Sequence, residues 1–340
     1  MKNWRLFVYT CSFFLCLAGS IAGAPFAGAE TTGQSWPQRP VHFIVPLGAG
    51  SGVDITARVF ADRLAEKWGQ PVIVENRPGG DAFIAITAVL GAHDDHVLLF
   101  APVSTFSAHS YLHDKLPYDP NDLTPIARVA NTLIGLGVPA SLGVSTLKEL
   151  VAKIQAAPGK LNYASVTGAN DLLFTAFLKT ENLQMARVPY KNAVEAIKDT
   201  ADTRVHAFLA AYAIMRAQVQ AGKVKVIALT NRQHAKSLND IPTVAEAGYK
   251  SLEFDGLNGI LGPRNIPQAA RDRIAADIRE IAADPEIEAK LSALGQVVNP
   301  GTAAEFREAM EDQLKTVKRI GDTLGIKPAS NETLGSRPAQ

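Results

Sequence analysis

The chain has 340 residues, a formal net charge of +1, 47% hydrophobic residues and only 2 cysteines. A nearly neutral chain does not favour an extended nucleic-acid interface, and this hydrophobic content does not favour disorder. The length is sufficient for one large domain or for two medium-sized domains with their own cores.

The first predicted element is an export signal over residues 1–29. Two basic residues precede an uncharged apolar run, and small residues follow up to a cleavage site after Ala29. The alternative, a transmembrane anchor, is less favoured because the strongly apolar stretch is shorter than the ~20 residues that span a bilayer. Both cysteines, Cys11 and Cys16, lie in this segment, and its removal leaves a net charge of about −1. The mature chain is therefore expected in the periplasm, without disulfides, a cysteine nucleophile or a cysteine-ligated metal.

Strand-like and helix-like segments alternate after the signal. Strands are predicted at 41–46, 71–75 and 97–100, and helices at 55–68, ending at Gly69, and at 83–90. This alternation is typical of a parallel sheet with helices on its faces.

A second series of elements follows. Strands are predicted at 133–138, 161–164, 205–209 and 224–229, with a helix at 213–221. The spacing from Thr146 to Glu149 is that of a capping box. The last third is predicted to be helical. One apolar face there comprises Ile274, Ile278 and Ile281, and another comprises Phe306, Met310, Leu314 and Val317.

Two glycine-rich loops follow the first two predicted strands. The first contains Gly48, Ala49, Gly50, Ser51, Gly52 and Asp54, and the second contains Pro78, Gly79, Gly80 and Asp81. Glycine leaves backbone amides uncovered, and the first amides of a helix attract anions. Because ligands of open α/β sheets bind at the carboxyl ends of strands, both loops are expected to face one crevice. The alternative is that both are ordinary tight turns.

Further candidates follow later strands. Ser104 comes after the strand at 97–100. Ser165, Thr167, Gly168 and Asn170 follow the strand at 161–164, and Tyr190 follows a short strand. They offer hydroxyl, amide and backbone donors, although such residues are also common in turns.

Enzyme motifs are incomplete. Gly48 and Gly50 begin a dinucleotide fingerprint, with Glu75 as its ribose-binding acid, but Val53 replaces the third glycine. Ser51 does not lie in a nucleophile elbow. His109 and His113 have helical spacing without the rest of a zinc motif, so surface or packing roles are expected for them, as for His93 and His96. We expect no catalysis, no cofactor and no metal.

Taken together, the ordered motifs resemble the Bug-type (TctC-like) solute-binding proteins of tripartite tricarboxylate transporters. The resemblance covers about residues 36–327 and rests on the segments 36–41, 46–58, 69–79, 116–120, 158–165, 188–191, 221–223, 241–248 and 284–286. It implies a two-lobed, type II-like periplasmic binding protein fold. Each lobe is a mostly parallel α/β sheet flanked by helices, and crossover hinge segments join the lobes. The expected division is 30–138 plus 252–340 for lobe 1 and 139–251 for lobe 2, with the ligand cleft between them.

The resemblance also implies a function and a site. Members bind small organic acids, typically carboxylates, and deliver them to a membrane permease. The first two loops hold the carboxylate, and Ser165, Thr167, Gly168 and Tyr190 contact it from the other lobe. The protein is expected to be a monomer that contacts no nucleic acid. Alternatives are an exported hydrolase or dehydrogenase-like enzyme, and a receptor that presents its ligand to a sensor protein.

The sequence departs from the family pattern in the second loop, where Asp81 puts an acidic group next to an expected carboxylate. One hypothesis is that Asp81 turns away and pairs with Arg77. The other is that it faces the cleft and selects a ligand with a hydroxyl, amide or cationic group.

Overall fold

The structure is a computed structural model that describes residues 36–234 and 238–329, so the predicted signal at 1–29 lies outside the described residues. The strands are β1 (Val41–Val45), β2 (Val72–Asn76), β3 (Val97–Pro102), β4 (Leu123–Thr132), β5 (Ile134–Pro139), β6 (Asn162–Val166), β7 (Ala186–Tyr190), β8 (Ala207–Ala211), β9 (Val224–Leu229), β10 (Gly256–Pro263) and β11 (Gln296–Gly301). The helices are α1 (Gly52–Trp68), α2 (Phe83–Ala92), α3 (Ser104–Ser107), α4 (His109–Leu112), α5 (Leu147–Ala156), α6 (Ala169–Thr180), α7 (Ala193–Ala201), α8 (Tyr212–Gln220), α9 (Gln268–Ala282), α10 (Pro285–Ser292) and α11 (Ala303–Leu324). None of the helices in these residues is both long and apolar enough to cross a membrane.

Local sequence signals explain where several helices begin and end. The Ser51 side chain caps α1 by accepting a hydrogen bond from the amide of Asp54, and Gly69 ends the helix with a left-handed φ of 64°. Thr146 caps α5 as predicted, but the Glu149 carboxylate accepts from the amide of Ser145 rather than from that of Thr146. The predicted capping box is therefore only half formed.

The strands form two sheets of similar topology. The six-stranded sheet has the order β11-β4-β10-β3-β1-β2, and the five-stranded sheet has the order β7-β6-β8-β5-β9. Each contains a parallel trio, β2-β1-β3 or β7-β6-β8, followed by an antiparallel neighbour, β10 or β5. The two-lobed α/β fold is confirmed, but the sheets are mixed rather than mostly parallel, because β10 and β5 each enter from the chain segment that builds the other sheet.

Only Leu133 separates β4, which belongs to the six-stranded sheet, from β5, which belongs to the five-stranded sheet. Its amide donates to the Gly295 carbonyl beside the first sheet, and its carbonyl accepts from the Tyr212 amide beside the second. The strand β5 lies in the second sheet, whereas the expected boundary placed residues up to 138 with the first lobe. Sheet membership therefore changes near residue 133, a few residues earlier.

The C-terminal helix α11 contacts both cores. Phe306 packs beneath the first sheet, whereas Val317 and Ile320 belong to the core of the second. The predicted apolar face is wrong at Leu314, which is 48% exposed, while Gln313 is buried. At about 100° per residue, position 313 lies close to the direction of Phe306, and position 314 lies about 80° away from it.

Candidate ligand-binding site

The loop between β1 and α1 is held by a network centred on Asp54. The Asp54 carboxylate accepts hydrogen bonds from the Gly50 amide at 2.8 Å and from Asn76 Nδ2 at 2.8 Å, and it pairs with Arg58 at 3.0 Å. Burial alone would raise the pKa of Asp54, but these hydrogen bonds outweigh it and lower that pKa. Asp54 is 2% exposed and its carboxylate faces its own loop, so the side chain supports the loop, and its predicted contact with a ligand stays a prediction.

The same network decides which amides of the first loop remain available. Gly50 has a φ of 82°, a backbone conformation that favours glycine, and its amide is committed to Asp54. Gly48 and Ala49 are exposed, and among the hydrogen bonds within the described residues their amides donate to no acceptor. Of the predicted residues in this loop, Gly48, Ala49 and Gly52 therefore have amides without an acceptor among the described residues.

Gly52 lies in close contact with a side chain from a distant strand, a contact that the sequence did not reveal. A Cβ atom at this position would collide with Nε2 of Gln296, the first residue of β11. Gln296 Oε1 accepts from Thr132 Oγ1 at 3.0 Å and from Asn258 Nδ2 at 3.1 Å, while its Nε2 has no partner in the part of the chain that the structure describes. In the sequence, this buried network could have been recognised from the polar residues Thr132, Asn258 and Gln296, which lie inside otherwise apolar strands.

The loop between β2 and α2 has an unusual backbone. Gly79, Gly80, Asp81 and Ala82 all have positive φ, and two of these residues carry side chains. Such a conformation is strained outside glycine and is kept only where the surroundings impose it. Pro78 and Gly79 are exposed at the turn, which leaves their backbone accessible as predicted.

Two histidines hold Asp81. Its carboxylate accepts from His113 Nε2 at 2.7 Å, and its carbonyl accepts from His109 Nε2 at 2.8 Å. Arg77 instead pairs with Glu75 at 2.9 Å, so the hypothesis of an Asp81–Arg77 pair is wrong. The ribose-binding role considered for Glu75 is also unsupported, because its carboxylate is shared between Arg77 and His42.

His109 is the buried centre of this cluster. Its Nδ1 lies 2.9 Å from the Tyr118 hydroxyl. Because Nε2 donates to the Asp81 carbonyl, Nδ1 is the acceptor of the neutral ring. Burial lowers the pKa of His109. The predicted surface or packing role therefore becomes a specific one, since His109 fixes the backbone of the second loop.

The histidine near the third strand is also structural. Asp94, Asp95 and His96 place ligand atoms within 4.8 Å of one another. However, Asp94 accepts two hydrogen bonds from Arg39, at 2.6 and 2.8 Å, and His96 Nδ1 lies 2.6 Å from Asp95. Each carboxylate therefore has a partner within the protein, and the three residues form a network with Arg39.

The segment from the end of β6 to the start of α6 differs from the first loop because several of its buried polar atoms have no partner among the described residues, although Asp171 Oδ2 accepts from Arg187 at 2.6 Å. Ser165 is 2% exposed, and its Oγ has no hydrogen-bond partner within the described residues. The same holds for Asn170 Oδ1 and Asp171 Oδ1. Gly168 begins α6 with a φ of 143° and no side-chain cap, and Thr167 is exposed beside it.

The two other predicted site residues are Tyr190 and Ser104. Tyr190 has a hydrogen-bond partner, and Ser104 lies at a different strand end. The Tyr190 hydroxyl donates to Asp199 Oδ2 at 2.7 Å, and burial together with this hydrogen bond raises the Tyr190 pKa to about 12. Its proton is thus committed, and only its oxygen can still accept. Ser104 begins the short helix α3 after β3 and is half-buried.

A chain of contacts relates the first loop to the second sheet. Gly52 lies against Gln296, and a Cβ at the preceding Gly295 would lie 3.0 Å from the Tyr212 ring, which follows β8. The start of α1 and the residue after β8 are therefore linked through Gly295 and Gln296, next to Leu133. This is the geometry expected of a site shared between two α/β lobes.

Comparisons with known proteins identify the family of this chain. Residues 56–326 match the profile of the tripartite tricarboxylate transporter family receptor. A UPF0065 protein of Bordetella bronchiseptica is 27% identical over 303 residues, which cover 87% of this chain and 88% of that protein. BugT of Bordetella pertussis is 25% identical over 322 residues, which cover 92% of this chain and 98% of that protein.

Solved structures give the same result. The structure of R. palustris Rpa4515 with adipate has a TM-score of 0.76 and 25% identity, covering 86% of this chain and 100% of that one. The periplasmic binding protein BugD has a TM-score of 0.72 and 25% identity, covering 86% and 99%. The chain therefore belongs to the tripartite tricarboxylate transporter receptor family, whose members are periplasmic solute-binding proteins.

Proposed function

We propose that this solute-binding protein captures a small aliphatic carboxylate between two lobes and delivers it to a membrane permease. Lobe 1 contains the six-stranded sheet, lobe 2 contains the five-stranded sheet, and the segments near Leu133 and Thr230 are the hinges. The ligand contacts the loops after β1 and β2 from one side and the loop after β6 from the other.

The observation that carries this proposal is the unpartnered hydroxyl of Ser165. A buried polar atom without a partner costs about 1–3 kcal/mol, so a folded protein rarely keeps one without a use. Ser165 Oγ lies at the carboxyl end of β6, where the uncapped first turn of α6 adds amide donors. A carboxylate accepts from hydroxyl and amide donors alike, and the helix dipole favours its charge.

The first loop supports the same ligand class. The free amides of Gly48 and Ala49 precede α1, whose N-terminus carries partial positive charge. Arg58 is occupied by Asp54 and Asn76, so recognition in this loop relies on backbone donors. The adipate in the similar R. palustris protein further supports a dicarboxylate ligand.

Thermal unfolding with a ligand panel tests the proposal. We expect adipate or succinate to raise the unfolding midpoint by several degrees, because ligand at 100 times its Kd stabilises the folded state by about 2.7 kcal/mol. Dimethyl adipate, which lacks both charges, is the matched control and is expected to have no effect. If no free acid raises the midpoint, or if the protein hydrolyses the diester, the proposal is wrong.

Export, delivery and the monomeric state require separate measurements. We propose that the signal is removed after Ala29, so the N-terminal sequence of periplasmic protein is expected to begin at Glu30. Light scattering is expected to give the mass of one mature chain. Deleting the gene is expected to abolish uptake of the labelled acid, whereas loss of gene induction with normal uptake would instead indicate a sensor partner.

A further inference from the structure

The short helix α4 makes contacts on two sides. On one side, α4 and the residue after it hold the loop that follows β2. His109 Nε2 donates to the Asp81 carbonyl at 2.8 Å, and His113 Nε2 lies 2.7 Å from the Asp81 carboxylate. On the other side, Tyr111 and Leu112 pack against the core of the second sheet. The helix therefore connects a predicted ligand loop of the first sheet to the core of the second.

The histidine side leaves little freedom between α4 and the loop. His109 is 0% exposed, and its two ring nitrogens are held by the Asp81 carbonyl and the Tyr118 hydroxyl. The centre of the Phe83 ring, at the start of α2, lies 4.6 Å from that of His109 and 4.8 Å from that of His113. The loop has four successive residues with positive φ, a conformation that is kept only where the surroundings impose it. A displacement of α4 is therefore expected to displace the loop.

The tyrosine side is packed as closely. A Cβ atom at Gly321, a buried residue of α11, would collide with the Tyr111 ring. The neighbouring Ile320 belongs to the core of the second sheet, which also contains Phe177 of α6. Because α6 follows the loop that contains Ser165, this core supports the second half of the proposed site. Closely packed groups transmit a displacement rather than absorb it.

We propose that Tyr111 and Gly321 are positioning residues of the ligand site, which transmit movements of the second sheet through α4 to the loop after β2. The inference rests on the proposed function, in which the ligand contacts loops of both sheets. When the sheets close around the ligand, the core of the second sheet moves, and the Tyr111 contact moves α4 with it. The His109 hydrogen bond then sets the position of the Asp81 carbonyl and of the backbone beside it. Closure and binding at this loop are therefore coupled, and the coupling is reciprocal.

Gly321→Ala tests the contact, because the added methyl group displaces the Tyr111 ring while alanine favours the helix. We expect adipate affinity, measured by calorimetry, to fall about fivefold or more, since coupling between sites typically amounts to about 5- to 150-fold. We also expect the NMR signals of the His109 ring nitrogens to shift in protein without ligand. A tyrosine that only fills space in the second core would not move these signals.

Gly91→Ala is the matched control. It makes the same change in α2, where a Cβ atom meets no neighbouring group within 4 Å, so neither the affinity nor the His109 signals are expected to change. In the Gly321→Ala background, Tyr111→Leu makes room for the methyl group and is expected to restore most of the affinity and the His109 signals. Tyr111→Ala alone removes the ring, is expected to lower the affinity to a similar extent, and tests the same contact if Gly321→Ala does not fold.

Two results would contradict the proposal. One is an adipate affinity that is unchanged in the folded variants, and the other is a reduced affinity with unchanged His109 signals. If adipate does not bind the parent protein, the proposed function is wrong. The His109 signals of the variants without ligand still test the route through α4 in that case, so the two failures are distinguishable.

Discussion

The loops after β1 and β6 occupy equivalent places in the two sheets but differ in their hydrogen bonding. In the first loop, Asp54 accepts from Gly50, Asn76 and Arg58, so the side chains satisfy one another. In the second, Ser165 Oγ and Asn170 Oδ1 have no partner within the described residues. Under the proposed function, the first loop is ordered before a ligand arrives, and the ligand supplies the missing partners of the second.

This division has a physical basis. A loop that is already ordered loses little entropy on binding, and its amides point at the ligand without rearrangement. Unpartnered atoms on the opposite lobe gain hydrogen bonds only when a ligand is present, which favours the closed state. Each prediction below changes one side of this contrast.

The largest effect is expected from Asp54→Ala. It leaves Arg58, Asn76 and the Gly50 amide without their shared acceptor, so we expect a loss of about 3 kcal/mol in the free energy of unfolding. Urea denaturation measures this loss. Asp62→Ala, at an exposed position on the same helix, is the control and is expected to change stability by less than about 0.5 kcal/mol. Equal effects of the two changes would mean that the first loop does not depend on this network.

A pH-dependent effect is expected at His109, which supports the second loop of lobe 1. Burial lowers its pKa, so the unfolded chain takes up a proton near pH 6.5 while the folded chain stays neutral. Stability is therefore complete above about pH 6.5 and falls as the pH drops toward the lowered folded pKa. Burial also lowers the pKa of His206. Because His206 is present both in the parent protein and in a His109 variant, its contribution cancels when the stabilities of the two are compared.

Replacing the imidazole tests this assignment. We expect His109→Gln to cost about 1–2 kcal/mol at pH 8, through the lost hydrogen bond with Tyr118, and to show a smaller decrease in stability between pH 7 and pH 5. Urea denaturation at several pH values measures both quantities. If the variant and the parent lose stability in parallel over this range, His109 does not cause the pH dependence.

The other side of the contrast is tested by Ser165→Ala. Because Ser165 Oγ has no hydrogen-bond partner within the described residues, we expect stability to be unchanged or slightly higher and adipate affinity to fall about tenfold. Calorimetry and thermal unfolding measure the two quantities. Ser251 also has an unpartnered Oγ but lies outside the proposed site, so Ser251→Ala is expected to leave the affinity unchanged. Unchanged affinity in both variants would remove Ser165 from the site.

Local signals predicted much of the fold. Gly69 ends α1, and the first three strands and their loops lie where the alternating pattern placed them. The sequence did not predict β4, β10 and β11, because their pairing depends on contacts between distant segments rather than on local periodicity. The apolar period of α11 also favoured Leu314 over Gln313, since hydrophobicity alone does not predict a buried polar residue.

The sequence predicted which loops form the candidate site, but it did not predict the hydrogen-bond partners of their side chains. The glycine-rich loops were recognised from composition, but the pairing of Asp81 with His113 joins residues 32 positions apart with no local spacing to indicate it. Likewise, nothing in the sequence near Asp54 showed that its carboxylate faces Gly50 and Asn76. Side-chain direction, rather than loop location, is what the pattern left open.

The smallest effect is expected from Asp81→Asn. Asp81 has a φ of 51°, which asparagine tolerates as well as aspartate, and the carboxylate is already held by His113 at 2.7 Å. We therefore expect the unfolding midpoint to change by less than about 2 °C and adipate affinity by less than twofold. Asp114→Asn, at the exposed position next to His113, is the control for the change of charge. A gain of tenfold or more for adipate, absent from the control, would show that Asp81 repels the ligand carboxylate. The loop after β2 would then select the ligand by charge. Ligand choice would in that case depend on loops in both lobes, and not mainly on the unpartnered atoms near Ser165.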